Sequence, residues 1–205
     1  MSKNYFVTAI GTDSGKTLAS AILCQSQTAE YWKPVQTGKI HDAETIRSWT
    51  ENKIRIHPNT YAFPLPVSPH IAAQKEKQEI HLRNIQIPKK RDPSCALFIE
   101  GAGGVYTPLN TKETMIDLMR HLKTQIILVS NLYLGAINHT LLTMHALKND
   151  PVIGIILNGK EDKEVEETLL KRTQLPLILR IYPEKNINAQ IIEQYSQQVN
   201  LPPPS

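Results

Sequence analysis

Residues 5–17 read "YFVTAIGTDSGKT", an apolar run that passes into a short loop ending in Gly-Lys-Thr. The apolar part is typical of a buried strand, and "KTLASAILCQSQ", which starts at residue 16, has a helical pattern. A loop between a strand and the N-terminus of a helix is where backbone N–H groups bind phosphate. The common motif G-x-x-x-x-G-K-[ST] begins with glycine where this chain has Ile10. The setting still predicts a phosphate loop, in which Gly11 relieves part of the turn.

Apolar runs and helical patterns alternate along the rest of the chain. Most of the runs are too uniformly apolar for half-exposed strands, which indicates strands buried on both faces. Residues 60–93 are rich in proline and predict irregular connections with one or two short helices. The sequence therefore predicts one P-loop NTPase-like domain over residues 1–205, a doubly wound α/β fold whose mostly parallel sheet carries helices on both faces. The further strand-like runs cover residues 31–35, 95–100, 125–131, 152–158 and 176–181, and the further helical patterns cover 115–123, 137–149 and 162–173.

The charge balance is mildly basic. The 205 residues include 23 Lys and Arg against 19 Asp and Glu, a net charge of +4, with the basic residues scattered. The densest cluster, "PKKRD" at 88–92, is typical of a solvated turn, so no nucleic-acid partner is expected. Cys24 and Cys95 lack metal-ligand spacing and are expected to be reduced thiols. The chain shows no leader pattern and no membrane-length apolar run, which predicts a cytoplasmic protein without a membrane partner.

The end of the loop carries residue types that are expected to bind a nucleotide phosphate. Gly15 permits close approach, Lys16 supplies charge to the β and γ phosphates, and the Thr17 hydroxyl is placed to bind magnesium. The alternative is a helix start that reads Gly-Lys-Thr by chance. The apolar strand in front of the loop disfavours that alternative.

Two carboxylates are candidates to complete a magnesium site with Thr17. Glu100 ends the apolar run "CALFIE" and precedes the glycine-rich "GAGG", so it is expected at the carboxyl edge of the sheet beside the phosphate loop. Magnesium takes a few protein oxygens together with phosphate oxygens, and Asp42 is the candidate second acid. By sequence alone, a surface helix cap is the favoured interpretation of Asp42, because Asp is ordinary at a helix start.

Lys33 follows an apolar run in "WKPVQTG", residues 32–38. A lysine at the end of a strand points toward the edge of the sheet where ligands bind. An exposed lysine trailing the strand is the alternative.

Six blocks together resemble the dethiobiotin synthetase family. They lie in order over residues 4–160, and "EGAGG", "SPH" and the K-P-x-x-[ST]-G pattern are more specific than a phosphate loop. The resemblance implies a homodimer that uses ATP, magnesium and CO2 to close the ureido ring of 7,8-diaminononanoate through a carbamate and a carbamic-phosphoric anhydride. The blocks are "YFVTAIGTDSGKT", "WKPVQTG", "SPHIAAQ", "IEGAGGVYTPL", "LGAINHTLLT" and "GIILNGK".

The resemblance also implies roles for individual residues. It places the chemistry on Lys16, Lys33, Thr12 and Asp13, and the metal on Thr17, Asp42 and Glu100. It implies that Asn138 reaches the substrate carboxylate across the dimer interface and that Asn158 contacts adenine. The implied nucleotide-binding set is Asp13, Ser14, Gly15, Lys16, Thr17, Leu18, Glu100 and Asn158, and the implied substrate-binding set is Thr12, Lys33, Thr37, Gly101, Gly103, Gly104 and Asn138.

Two other functions share this fold and loop. A nucleotide switch of the MinD/ParA type would carry an additional lysine early in the loop, and residues 9–14 contain none. A catalytically weakened relative that binds nucleotide for regulation is the other hypothesis. It is motivated by Ala9, which stands where the family's loop begins with glycine, and by the short segment between Thr17 and Lys33. Loss of turnover on substituting Lys33 would distinguish an enzyme from either binding protein.

Overall fold

A seven-stranded sheet forms the centre of the computed structural model, which describes residues 3–27 and 29–202. The strands of the chain are β1 (Asn4–Ala9), β2 (Glu30–Trp32), β3 (Val35–Thr37), β4 (Arg55–His57), β5 (Tyr61–Phe63), β6 (Leu97–Glu100), β7 (Gln125–Asn131), β8 (Val152–Asn158) and β9 (Leu177–Ile181). The strand order in the sheet is β4-β2-β6-β1-β7-β8-β9, and every neighbouring pair is parallel. β3 and β5 form a separate parallel pair.

Helices connect the strands, as parallel pairing requires. They are α1 (Lys16–Gln27), α2 (Asp42–Trp49), α3 (Pro69–Lys75), α4 (Met115–Leu122), α5 (Ala136–Ala146), α6 (Lys163–Thr173) and α7 (Ala189–Ser196), with a 3-10 helix at Leu82–Asn84. The region 60–93 contains α3 and the 3-10 helix, in agreement with the sequence prediction. No helix among the described residues is long and apolar enough to cross a membrane.

β1 lies in the middle of the sheet and packs on both sides. Tyr5, Val7 and Ala9 join a buried cluster with residues of α1, α2 and α7, whereas Phe6 joins a second cluster with α3 and α4. Alternate side chains of one strand point to opposite faces, so both faces of the sheet are covered. The predicted doubly wound fold is confirmed. Each large side chain buried in this way stabilises the fold by about 1.5–3 kcal/mol.

The predicted strand over residues 31–35 is wrong as a single element. β2 ends at Trp32, and β3 begins at Val35 in the other sheet. Pro34 stands between them and has no N–H to donate to a sheet ladder. Its carbonyl instead accepts the backbone N–H groups of Thr60 and Tyr61, both at 2.9 Å. Lys33 therefore lies in the two-residue connection between β2 and β3, directly after the carboxyl end of β2.

Candidate active site

One backbone carbonyl in the loop between β1 and α1 accepts two side-chain hydrogen bonds. The Gly11 carbonyl oxygen accepts from Ser14 Oγ at 3.1 Å and from Lys16 Nζ at 2.9 Å. Gly15 has φ +91°, a conformation that L side chains rarely adopt. This backbone brings the first turn of α1 to the carboxyl edge of the sheet, where the partial positive charge of a helix N-terminus favours anions.

Asn158 ends β8 and contacts the same loop. Its Nδ2 donates to the Ser14 carbonyl at 3.0 Å. A Cβ added to Gly15 would lie 2.3 Å from that nitrogen, so only glycine fits beneath the Asn158 side chain. The residue implied to contact adenine is thus bonded directly to the phosphate loop.

Lys16 is almost buried at the start of α1, with 6% of its surface exposed. Burial lowers its pKa to about 8, because a low-dielectric setting disfavours the charged ammonium, and the nearby Glu100 carboxylate only partly opposes this. An anion placed beside Lys16 would restore its charge.

Three oxygen-bearing side chains meet beside Lys16. Thr17 Oγ1 lies 3.0 Å from Asp42 Oδ1 and 3.0 Å from Glu100 Oε1. A hydroxyl has one proton, so Thr17 donates to one carboxylate at a time. The second oxygen of Glu100 accepts from the buried Tyr31 hydroxyl at 2.8 Å. The carboxylates come from β6 and α2, elements far apart in sequence.

Lys33 completes this cluster and is buried, with 7% of its surface exposed. Its Nζ donates to Glu100 Oε1 at 2.9 Å and is also bonded to Asp42. Burial alone would lower the pKa of Lys33, but the two carboxylates outweigh it and the pKa is raised. For Asp42, burial favours the neutral acid, yet the Lys33 ammonium holds the carboxyl pKa below its usual range.

A cavity of about 810 Å³ opens onto these groups. Pro66, Val67, Ser68 and Pro69 form part of its wall, with Trp49 and the exposed Ile40. Most of the predicted site residues lie around this one cavity. Those that line it are Thr12, Asp13, Gly15, Lys16, Thr17, Leu18, Lys33, Thr37, Asp42, Glu100 and Gly103.

A second cavity of about 610 Å³ adjoins the first. It lies between the phosphate loop, the segment 104–107 and α5, and it is lined by Gly104, Tyr106, His139 and Leu142 among others. Thr12 and Thr107 line both cavities. The two spaces therefore meet at a wall made by these two threonines.

Four predicted residues line neither cavity: Asn158, which contacts the phosphate loop as described above, and Ser14, Gly101 and Asn138. Ser14 is buried under the loop. Gly101 is packed against Phe6, and its N–H donates to the Val7 carbonyl at 3.0 Å, so that N–H is not available to a substrate. Asn138 is exposed on α5.

Three further residues at the site were not predicted from the sequence. Tyr31 binds Glu100, Gln36 lines the large cavity, and Thr107 accepts the Gly104 N–H at 2.9 Å. Only the fold brings Tyr31 to Glu100, whereas Gln36 and Thr107 bond to residues near them in sequence. Thr107 lies three residues after "EGAGG", and this position could have indicated that it is near the site.

The donor set fits magnesium rather than a metal held by protein alone. No group of three or more His, Cys, Asp or Glu side chains in residues 3–27 and 29–202 could hold a metal ion. Magnesium instead takes one or two carboxylates, with phosphate and water oxygens completing the octahedron. Thr17, Asp42 and Glu100 present such a partial set of hard oxygens beside the phosphate loop.

Comparison with known proteins gives matches over nearly the whole chain. A family model described as an AAA domain matches residues 3–190. The ATP-dependent dethiobiotin synthetase BioD of Cytophaga hutchinsonii is 48% identical over 198 residues, with 95% of each chain covered. The protein of the same name from Christiangramia forsetii is 38% identical over 203 residues, with 97% of this chain and 96% of that protein covered.

Solved structures resemble the chain in fold. A ParA family ATPase from Chlorobium tepidum TLS has a TM-score of 0.55 at 12% identity, covering 96% of this chain and 99% of that one. The MinC:MinD cell division complex of Aquifex aeolicus has a TM-score of 0.53 at 10% identity, covering 94% and 86%. At these identities the likeness shows the fold alone.

Proposed function

The chain belongs to the ATP-dependent dethiobiotin synthetase family, and on this premise we propose that it closes the ureido ring of 7,8-diaminononanoate with CO2 and ATP. The products are dethiobiotin, ADP and phosphate. The observation that carries the proposal is the position of Lys33, whose ammonium lines the same cavity as the phosphate loop. Two anions that repel each other can react only where fixed positive charge brings them together.

The reaction uses the two lysines in different places. One substrate amine adds CO2 and loses a proton, which gives a carbamate that Lys33 holds. Lys16 offsets charge on the phosphates while a carbamate oxygen attacks the γ phosphorus and ADP leaves. The second amine then attacks the carbonyl carbon of the mixed anhydride, and phosphate leaves as the ring closes. Thr12 and Asp13, in the same cavity wall, position the reacting groups.

Magnesium is part of the proposal. Thr17, Asp42 and Glu100 would hold it, and it would offset the charge of the phosphates when bound. Support comes from the two carboxylates, each of which has an oxygen 3.0 Å from the Thr17 hydroxyl beside the phosphate loop.

The second cavity suits the hydrocarbon chain of the substrate. Leu142 and Ala146 give it apolar lining, and it meets the reaction cavity at Thr12 and Thr107. Thr37 and Gly103 would contact the amine end of the substrate, and Gly104 the chain.

We further propose that the enzyme is a cytoplasmic homodimer. Tyr106, Tyr133, Leu134 and Leu142 are exposed apolar residues beside the second cavity and on the segment leading into α5. A partner on this face would bring its Asn138 toward the substrate carboxylate. Both cysteines are free, as expected in a reducing compartment.

Turnover tests the proposal directly. Purified protein with diaminononanoate, bicarbonate, magnesium and ATP should release phosphate and form a product with the mass of dethiobiotin. Lys33→Ala should lose at least about 100-fold in turnover while retaining ATP binding, because the removed charge acts on the attacking anion. Lys16→Ala should lose both turnover and ATP binding. No product from the unaltered protein at micromolar concentration, or full turnover by Lys33→Ala, would contradict the proposal.

A further inference from the structure

Gln36 is a buried amide whose bonds all lie within the segment that carries Asp42. Only 3% of its surface is exposed. Its Nε2 donates to the Thr37 carbonyl at 2.8 Å and to the Ile40 carbonyl at 3.4 Å. Its Oε1 accepts the backbone N–H of Asp42 at 3.3 Å. One side chain therefore joins the start of this segment to its end.

The segment between β3 and α2 has few other supports. The Gly38 N–H donates to the Phe63 carbonyl at 2.9 Å, which anchors the beginning. Ile40 is 81% exposed. His41, the residue before α2, makes no side-chain cap, although helix starts usually need one. Gln36 satisfies the first N–H of α2 in its place.

Asp42 is the residue that this contact fixes. Its carboxylate contacts both Thr17 and Lys33 from the first position of α2. A carboxylate on a loosely held helix start would spend less time at the phosphate loop, and metal affinity depends on such outer contacts.

We propose that Gln36 is a positioning residue for divalent cation binding: its side-chain amide holds the start of α2 so that Asp42 faces Thr17 and Glu100. The inference rests on the proposed metal site. Gln36 touches neither the reacting atoms nor the metal in this role, and it acts through Asp42.

Binding of Mn²⁺, measured by electron paramagnetic resonance in the presence of ADP, tests the role without any turnover. Gln36→Met keeps the length of the side chain and removes the amide, and we expect Mn²⁺ to bind about tenfold more weakly. The control is Gln25→Met, which removes an exposed amide bonded to Glu193 at 2.7 Å and should leave Mn²⁺ affinity unchanged. Unchanged affinity in Gln36→Met would overturn the inference.

A double-mutant cycle separates positioning from a general loss of structure. If Gln36 acts through Asp42, then Gln36→Met should add little to the loss caused by Asp42→Asn. If Gln36→Met weakened Mn²⁺ binding a further tenfold in the Asp42→Asn background, Gln36 would not act through Asp42. Gln36→Asn, a polar amide one methylene too short to span the segment, gives the same test should the methionine variant fail to fold. Since the readout is binding, absence of dethiobiotin synthesis would refute the proposed function and leave this result standing.

Discussion

Lys16 and Lys33 line one cavity, yet different interactions decide their charge. Burial dominates at Lys16 and lowers its pKa to about 8. At Lys33 the two carboxylates outweigh burial, and the pKa is raised. At pH 9, Lys33 therefore keeps its proton while much of Lys16 has lost it. Of the two lysines, Lys16 is therefore the one whose charge is expected to depend on a bound anion.

Nucleotide binding should take up a proton in mildly alkaline solution. Phosphate favours the charged form of Lys16, so binding raises its pKa from about 8, and a proton enters wherever the free protein has lost it. At pH 8.5 we expect uptake of roughly half a proton or more per ATP, and affinity that falls as pH rises further. Calorimetry in buffers of different ionisation enthalpy measures the uptake.

Lys16→Arg is the matched control, because arginine stays charged at this pH. Its binding of ATP should show little uptake at pH 8.5. Equal uptake in both proteins would mean that another group titrates.

The sequence predicted the charged members of the site better than their supports. Lys16, Lys33 and Glu100 belong to a motif or to the end of an apolar run, where chemistry limits the residue types, whereas Asp42 was a candidate acid with a helix cap as its alternative. Tyr31 and Gln36 are ordinary residues until the fold is known, because their function is to hold another side chain. Tyr31 is identified by its contact with Glu100, which is distant in sequence, and Gln36 by its bonds within residues 36–42.

At the scale of elements, the long apolar strands and their helices followed from hydrophobic pattern. β7 and β8 match the predicted ranges 125–131 and 152–158. β4 and β5 were not predicted, since strands of three residues are too short to show a period. α2 was considered only as an alternative for Asp42, and α7 was not predicted.

The start of α4 supports the glycine-rich segment that lines both cavities. The Asp117 carboxylate accepts the Thr114 backbone N–H at 2.8 Å and its hydroxyl at 2.7 Å. The following residues Met115 and Ile116 donate backbone N–H groups to the Thr107 and Val105 carbonyls at 3.0 and 2.9 Å. Loosening this helix start should disturb segment 104–107.

Asp117→Ala should therefore cost stability and also weaken substrate binding. We expect a loss of about 1 kcal/mol in the free energy of unfolding, or about 2–4 °C in melting temperature. The KM for the diamine should rise several-fold. Asp162→Ala removes a comparable cap, in which Asp162 accepts the Val165 N–H at 3.1 Å at the start of α6, and should lower stability alone. Unchanged KM in Asp117→Ala would contradict the supporting role.

At the scale of the whole molecule, the sheet gathers the site from three neighbouring strands. β2, β6 and β1 lie side by side; Lys33 follows β2, Glu100 is the last residue of β6, and the phosphate loop follows β1. The hydrophobic pattern of the sequence predicted that the site lies at the carboxyl edge of the sheet, because parallel strands have all their carboxyl ends at the same edge. The face that bears Leu134 was not predicted, since exposure of an apolar residue is a property of the assembled surface.

Leu134 gives a direct test of the proposed dimer. Its side chain is fully exposed in the single chain, so Leu134→Glu should not affect folding but should place a charge in an apolar interface. We expect sedimentation velocity at micromolar concentration to give a dimer for the unaltered protein and a monomer for Leu134→Glu. Ile71→Glu, at a residue 39% exposed on α3, should remain dimeric. A monomeric unaltered protein would contradict the proposal.

Thr12 and Thr107 line both cavities, so under the proposed function they lie between the space where bonds form and the space that binds the hydrocarbon chain. A variant with bulkier or smaller groups around Tyr106 and Leu142 could accept diamines of a different length while its phosphoryl machinery stayed as it is. Substituting Thr12 or Thr107 is instead expected to change both cavities, because each of these residues lines both.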